Sequence, residues 1–131
     1  MGDFTKLAVW RKAHELALRI YRETSSWPRH ELYGLTSQTR RAAVSIPANI
    51  AEGCGRNSDA ELAKHSRNSM GSASELAYYA ILAHDLAYMS QPDRDDVQAS
   101  VSEVRRMLAS LERVSAAAAE SAHPSVKLRR K

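Results

Sequence analysis

A chain of 131 residues with 44% hydrophobic content, one cysteine and a formal charge of +4 makes one domain, large enough to bury about two-thirds of its unfolded surface. No run of about eighteen apolar residues is present to cross a membrane, no basic-then-apolar leader opens the chain, and the lone Cys54 makes no internal disulfide, which suits a reducing compartment such as the cytoplasm. The charge belongs to one end: four of the nineteen Lys and Arg are Lys127, Arg129, Arg130 and Lys131, and the fifteen others equal the acids in number.

The spacing predicts a first helix over about 7–25. Leu7, Trp10, His14, Ala17, Tyr21 and Thr24 alternate by three and four, and Val9, Ala13, Leu16 and Ile20 widen the stripe. Ser25-Ser26-Trp27-Pro28 ends it, because the residue before a proline leaves the helical region. Trp27 is expected to plug the end of the core. A second helix over about 35–53 follows Tyr33-Gly34, with Gly53 and Gly55 as its stop. Pro47 lies in its interior, where it removes a backbone hydrogen bond and crowds the Ala43 carbonyl at a cost of roughly 3 kcal/mol. A kink is therefore expected at Pro47. Arg41, Ser45, Asn49 and Glu52 form a polar row at helical spacing, with Ser45 and Asn49 placed to bond the carbonyl that Pro47 frees.

Ser58-Asp59-Ala60-Glu61 reads as a capping box opening a third helix over about 59–88. Its inner face is Leu62, Ser66, Ser69, Ala73, Leu76, Ala80, Ala83 and Ala87. Gly71 in mid-helix costs about 1 kcal/mol against alanine, which suggests a close-approach point. Pro92 in the first turn, with Asp93, Asp95 and Asp96 at the positive end of the dipole, opens a fourth helix over about 92–119. Val97, Val101, Val104, Leu108, Leu111 and Ser115 are its stripe. Residues 121–131 read as a basic disordered tail. The expectation is an all-α protein, an antiparallel up-down four-helix bundle over 1–120. Twenty-one alanines against one phenylalanine make a thin core, which argues for self-association.

Catalytic, cofactor and metal residues are not expected. Cys54 would need a base such as His65 or His84, and its position supplies none. Bundle di-metal sites need two Glu-x-x-His motifs, and Glu120–His123 is a single one at a helix end. Arg40 and Arg41 have the planar donor fork that suits phosphate, or an ion pair with Glu52 or a neighbouring subunit. Arg56 joins them as a nucleic-acid-binding candidate, as do Lys127, Arg129, Arg130 and Lys131, which otherwise serve as a solubilising tail. Tyr78-Tyr79 suits base stacking or packing. Ser45, Pro47, Asn49, Glu52, Gly53 and Gly71 are the structural or interface candidates.

Particular motifs carry a family resemblance. Phe4 with Leu7, Val9, Trp10 and Ala13; Tyr33-Gly34-Leu35-Thr36-Ser37-Gln38; the long run Arg40–Gly53 followed by Arg56; Gly71-Ser72 with Glu75-Leu76; and Arg105-Arg106-Met107-Leu108 resemble the four-helix bundle proteins named after the 23S rRNA intervening-sequence proteins. Accessory proteins of diversity-generating retroelements are related to that family. The resemblance spans about residues 4–115 and implies a homopentamer with no known catalytic activity. The retroelement type implies a basic scaffold that binds nucleic acid and a reverse transcriptase. This chain departs from that type in its charge-balanced body, in Trp27 where phenylalanine is common, and in Tyr78-Tyr79. The leading expectation is a cytoplasmic, non-enzymatic oligomeric scaffold binding RNA or DNA. The alternative is a protein-binding adaptor docking through the polar face of the second helix.

Overall fold

A computed structural model of the protein describes residues 2–122 and contains four long helices: α1 (Ala8–Thr24), α2 (Leu35–Gly55), α3 (Asp59–Asp85) and α4 (Gln91–Ser121). Short 3-10 turns at Phe4–Lys6 and Arg29–Glu31 precede α1 and α2. The tail cations Lys127, Arg129, Arg130 and Lys131 lie outside the described residues. Each helix packs on two others in the cycle α1, α2, α3, α4, and among the described residues no close backbone contact joins the diagonal pairs. Paired side chains set the directions. Ser45 meets Ser72 while Asn49 meets His65; Ala77 meets Gln98 while Arg67 meets Glu112; Lys12 meets Glu103 while Arg19 meets Asp93. In each pair of helices the numbers rise on one as they fall on the other.

The core is narrow. Val9, Ala13, Leu16 and Ile20 of α1 face Ala43, Ile46 and Ile50 of α2, Ala73, Leu76 and Ala80 of α3, and Val97, Val101, Val104 and Leu108 of α4. Trp27 and Met89 close one end, with the Tyr88 ring 6.0 Å from Trp27. The α4 stripe is buried largely as its spacing predicts, with Leu111 at its margin. The α1 stripe is rotated: His14 and Tyr21 are exposed and Trp10 is half-buried, while Val9, Ala13, Leu16, Ala17, Ile20 and Thr24 form the seam. Trp10 stacks instead on His14, with ring centroids 5.0 Å apart, and meets Phe4 edge-on.

Helix ends correct the sequence reading at two places. Gly53 does not stop α2, whose last residue is Gly55; Arg56 follows as the cap and Asn57 then turns left-handed at φ 57°. Asparagine is among the few non-glycine residues that visit this left-handed region readily. Helix α3 ends at Asp85 and not near 88, because Ala87 turns left-handed at φ 66°. Tyr88 N–H then reaches the Ala83 carbonyl and Ala87 N–H that of His84, the paired bonds of a Schellman stop. At the start of α2 the cap comes from upstream: the Glu31 carboxylate accepts Leu35 N–H at 3.1 Å and Tyr88 O–H at 2.8 Å. A Cβ on Gly34 would lie 2.8 Å from that carboxylate, so glycine makes room for the cap.

The two helix-interior glycines exchange their expected roles. A Cβ on Gly53 would stand 2.9 Å from His65 Cβ and 3.1 Å from Leu62 Cδ1, whereas one on Gly71 meets open space. Gly53 is the close-approach point of α2 on α3; Gly71 is exposed. Thermal unfolding of single variants should separate them. Gly53→Ala should cost about 1–3 kcal/mol by overpacking. Gly71→Ala should gain up to about 1 kcal/mol in helix propensity.

Electrostatics on the α1–α4 seam yield a second expectation. Burial, and then the charge of Asp93, push the Glu23 carboxyl above its ordinary range, partly offset by Arg19. A group with a raised folded pKa adds stability fully below its unfolded pKa, and that stability is lost as pH rises through the folded value. Glu23→Gln should therefore be more stable than wild type near pH 7, by less than about 1 kcal/mol at so solvated a site. Denaturation midpoints at descending pH should converge below the ordinary carboxylate range.

Candidate functional site

The polar row of α2 is where side chains from two elements converge. Arg41, Ser45, Asn49 and Glu52 fall on one flank because steps of three and four residues return to the same side of a helix. Ser45 and Asn49, half-buried, turn against α3. The Asn49 amide donates to the Ser45 carbonyl at 2.9 Å and reaches Ser45 Oγ at 3.1 Å. Ser45 Oγ in turn shares a hydrogen bond of 2.8 Å with Ser72 Oγ. Asn49 Oδ1 lies 3.1 Å from His65 Nδ1. With the amide NH₂ committed to a carbonyl, Oδ1 can only accept, so the network places the imidazole hydrogen on Nδ1. His65 Nε2 then faces Glu52 Oε1 at 3.9 Å. Deeper in the seam, Ser69 Oγ donates to the Ile46 carbonyl at 2.9 Å.

Pro47 is buried, two residues from both Ser45 and Asn49, in a helix that continues through it. The bonds differ from those the sequence suggests: Asn49 goes to the Ser45 carbonyl and not to that of Ala43, and Ser45 goes to α3. At the far end Arg56 binds Glu52 at 2.9 Å and approaches Glu61 at 4.0 Å. The hydrogen bond from Arg56, and then the charge of His65, hold the Glu52 carboxyl below its ordinary range. The same bond raises Arg56 further.

An amide, an imidazole and a carboxylate in line resemble the orienting half of a catalytic triad. Here the imidazole is sealed, with 8% of its side chain exposed. Burial pushes the neighbouring Cys54 thiol up, so it remains the poorly nucleophilic thiol. Among the described residues no cluster of three His, Cys, Asp or Glu stands ready for a metal. What the row does is bind two helices across an antiparallel seam.

Among the described residues, the nucleic-acid candidates Arg40, Arg41 and Arg56 differ in setting. Arg40 turns inward, its Nε–H donating to Thr24 Oγ1 at 2.7 Å and its guanidinium lying 4.7 Å from the Tyr21 ring centre. Arg41 points outward, exposed and without an ion pair among the described residues. Arg56 is engaged with carboxylates. Sequence reasoning weighed His65 only as a base for Cys54 and named Ser72 only in the resemblance, so it missed both as the α3 half of the seam. A signal was present: His65, Ser69 and Ser72 are spaced by four and three, a polar stripe that mirrors Ser45 and Asn49 across a short connection. Tyr78 is exposed and Tyr79, half-buried, donates to Glu75.

The chain matches the model of the 23S rRNA-intervening sequence protein family over residues 5–110. Among solved structures, it resembles a protein of unknown function from the S23 ribosomal protein family of Bacteroides thetaiotaomicron, with a TM-score of 0.73. The likeness covers 80% of this chain and 95% of that one at 23% identity, and it establishes a shared fold. No curated protein matches the chain.

Loss of the Asn49 amide strands the buried His65 N–H and removes one of the Ser45 hydroxyl's two contacts. Asn49→Ala should lower the unfolding free energy by about 1–3 kcal/mol, read by denaturant titration. A Ser45→Ala, Ser72→Ala double-mutant cycle should give a coupling of about 0.5 kcal/mol or more; simple additivity would show that the seam hydroxyls act independently.

Proposed function

Since this chain belongs to the 23S rRNA-intervening sequence protein family, we propose that it is a non-enzymatic helical scaffold that self-associates and binds nucleic acid through phosphate contacts. The observation that carries this reading is a set of exposed arginines that make no ion pair among the described residues, in a body where other arginines do. Glu52, Glu103, Glu112, Asp93 and Asp96 each meet a lysine or arginine. Arg41 on α2 and Arg105 and Arg106 on α4 are exposed and make no ion pair among the described residues. Arg105 and Arg106 line a shallow surface recess with Ser102 and Met70. Unpaired guanidinium groups on a helical surface are suited to phosphate oxygens.

Self-association draws support from what the single chain leaves uncovered. Val44 on α2 and Tyr78 and Ile81 on α3 are each more than two-fifths exposed, beside a core built largely from alanine and valine. The family resemblance implies five subunits. A protein adaptor docking through the polar face of α2 has less to stand on, because Ser45 and Asn49 are committed to α3.

Two measurements on the full chain test the reading. Sedimentation should return a multiple of the 14.5 kDa chain mass, and a folded monomer at micromolar concentration would remove self-association. Fluorescence anisotropy with labelled RNA and DNA oligonucleotides should show affinity falling with salt, with a log–log slope of about 0.7–0.9 per phosphate neutralised. Replacing Arg41, Arg105 and Arg106 by alanine should flatten that slope. Absence of binding at low salt would overturn the nucleic-acid part.

A further inference from the structure

Between the end of α1 and the start of α2 lies a cleft of about 290 Å³, with Trp27 among its walls and Thr24, Ser25, Arg29, Thr36 and Arg40 as its polar lining. Ligand pockets for drug-sized molecules begin at about 300 Å³, so this one suits a small group. Two of its residues are arginines and none is an acid. Neither Arg29 nor Arg40 makes an ion pair among the described residues. The acids that flank the lining in sequence are engaged elsewhere: Glu31 by Leu35 N–H and Tyr88 O–H, and Glu23 by Trp27 and Arg19, neither of them in the polar lining.

The Arg40 side chain is fixed at two points. Its Nε–H donates to Thr24 Oγ1, and its flat face lies over Tyr21. Thr24 donates its own proton to the Ile20 carbonyl at 2.7 Å, which leaves its oxygen only the acceptor role toward Arg40. With Nε used and the face covered, the two terminal NH₂ groups remain, and they form the edge of the fork that takes a phosphate bidentately. The carbonyl end of α1, which repels anions, is partly quenched by hydroxyls. Thr24, Ser25 and Ser26 donate to the carbonyls of Ile20, Arg22 and Glu23.

We propose that this cleft binds a phosphate group, with the Arg40 fork as its principal ligand and Arg29 as a second cation at the rim. A purely structural Arg40, capping the end of α1, would account for the Thr24 bond. It would not account for a second unpaired arginine on the same acid-free cleft. The site deepens the nucleic-acid reading by naming where one phosphate sits. It rests on different residues from the exposed Arg41, Arg105 and Arg106.

The test uses the full chain and inorganic phosphate, followed by calorimetric titration and thermal unfolding against sodium chloride of equal ionic strength. Phosphate should bind saturably and raise the unfolding temperature. Arg29→Ala should weaken binding about tenfold, the loss of one charge-assisted contact, with the phosphate-free unfolding temperature unchanged. Arg40→Lys, which keeps the charge and loses the fork, should weaken it at least as much. Equal effects of phosphate and chloride, or wild-type binding by Arg29→Ala and Arg40→Lys, would overturn the proposal. Short oligonucleotides with and without a 5′-phosphate then identify the source. Preference for the phosphorylated end, lost in Arg40→Lys, supports a terminal phosphate; equal binding of both, also lost in Arg40→Lys, supports an internal phosphodiester. Binding of inorganic phosphate with neither oligonucleotide supports the cleft as a site for a free phosphate while refuting the nucleic-acid reading.

Discussion

The side chain of Asn49 ties α2 to α3 across their antiparallel seam. Its NH₂ is committed to its own helix at Ser45 and its oxygen to His65 on α3. A buried polar group left without partners is costly, so such a bond admits few alternatives. One turn further along, Gly53 lets α3 approach until His65 Cβ sits where a side chain would start. Close approach brings the imidazole into range of Asn49, and that bond holds the approach in register. A helix pair with an alanine-rich face slides easily, because small side chains interlock weakly; the polar seam supplies the register that the apolar contact lacks.

The same economy explains the charges. In a body with equal numbers of acids and bases, net charge says little about partners. What matters is which groups are already satisfied. Carboxylates cap α2 through Glu31, clamp α1 to α4 through Asp93 and Glu103, and join α3 to α4 through Glu112. Surface pairs of this kind contribute little stability each, typically below about 1 kcal/mol. Their effect on recognition is larger: they engage part of the acids and leave exposed arginines such as Arg41, Arg105 and Arg106, alongside acids such as Glu15 and Glu75, without an ion pair among the described residues.

Much of the architecture was legible from periodicity, capping residues and breakers. The α4 valines, the Ser58 cap, the short connections and the plug at Trp27 follow from chemistry within a few residues, and α-helices are built from such local bonds. Half of the central site was legible for the same reason, since Ser45, Asn49 and Glu52 repeat along one helix. The prediction failed where several local patterns were equally good. In α1 the Trp10–His14–Tyr21 stripe and the Val9–Ala13–Leu16–Ile20 stripe overlap, and a modest rotation about the helix axis exchanges them.

By itself the sequence determined that this protein is helical, how many helices it has, and that one of them carries a proline beside a polar row. Only the tertiary structure decided that His65 is Asn49's partner, that Thr24 and Tyr21 fix Arg40 at a cleft, and that Gly53, not Gly71, marks the close approach. Those facts depend on the azimuth and register of helices that meet across 16 or 27 residues of chain. Azimuth and register are set by the joint packing of all four helices, and no local spacing encodes them.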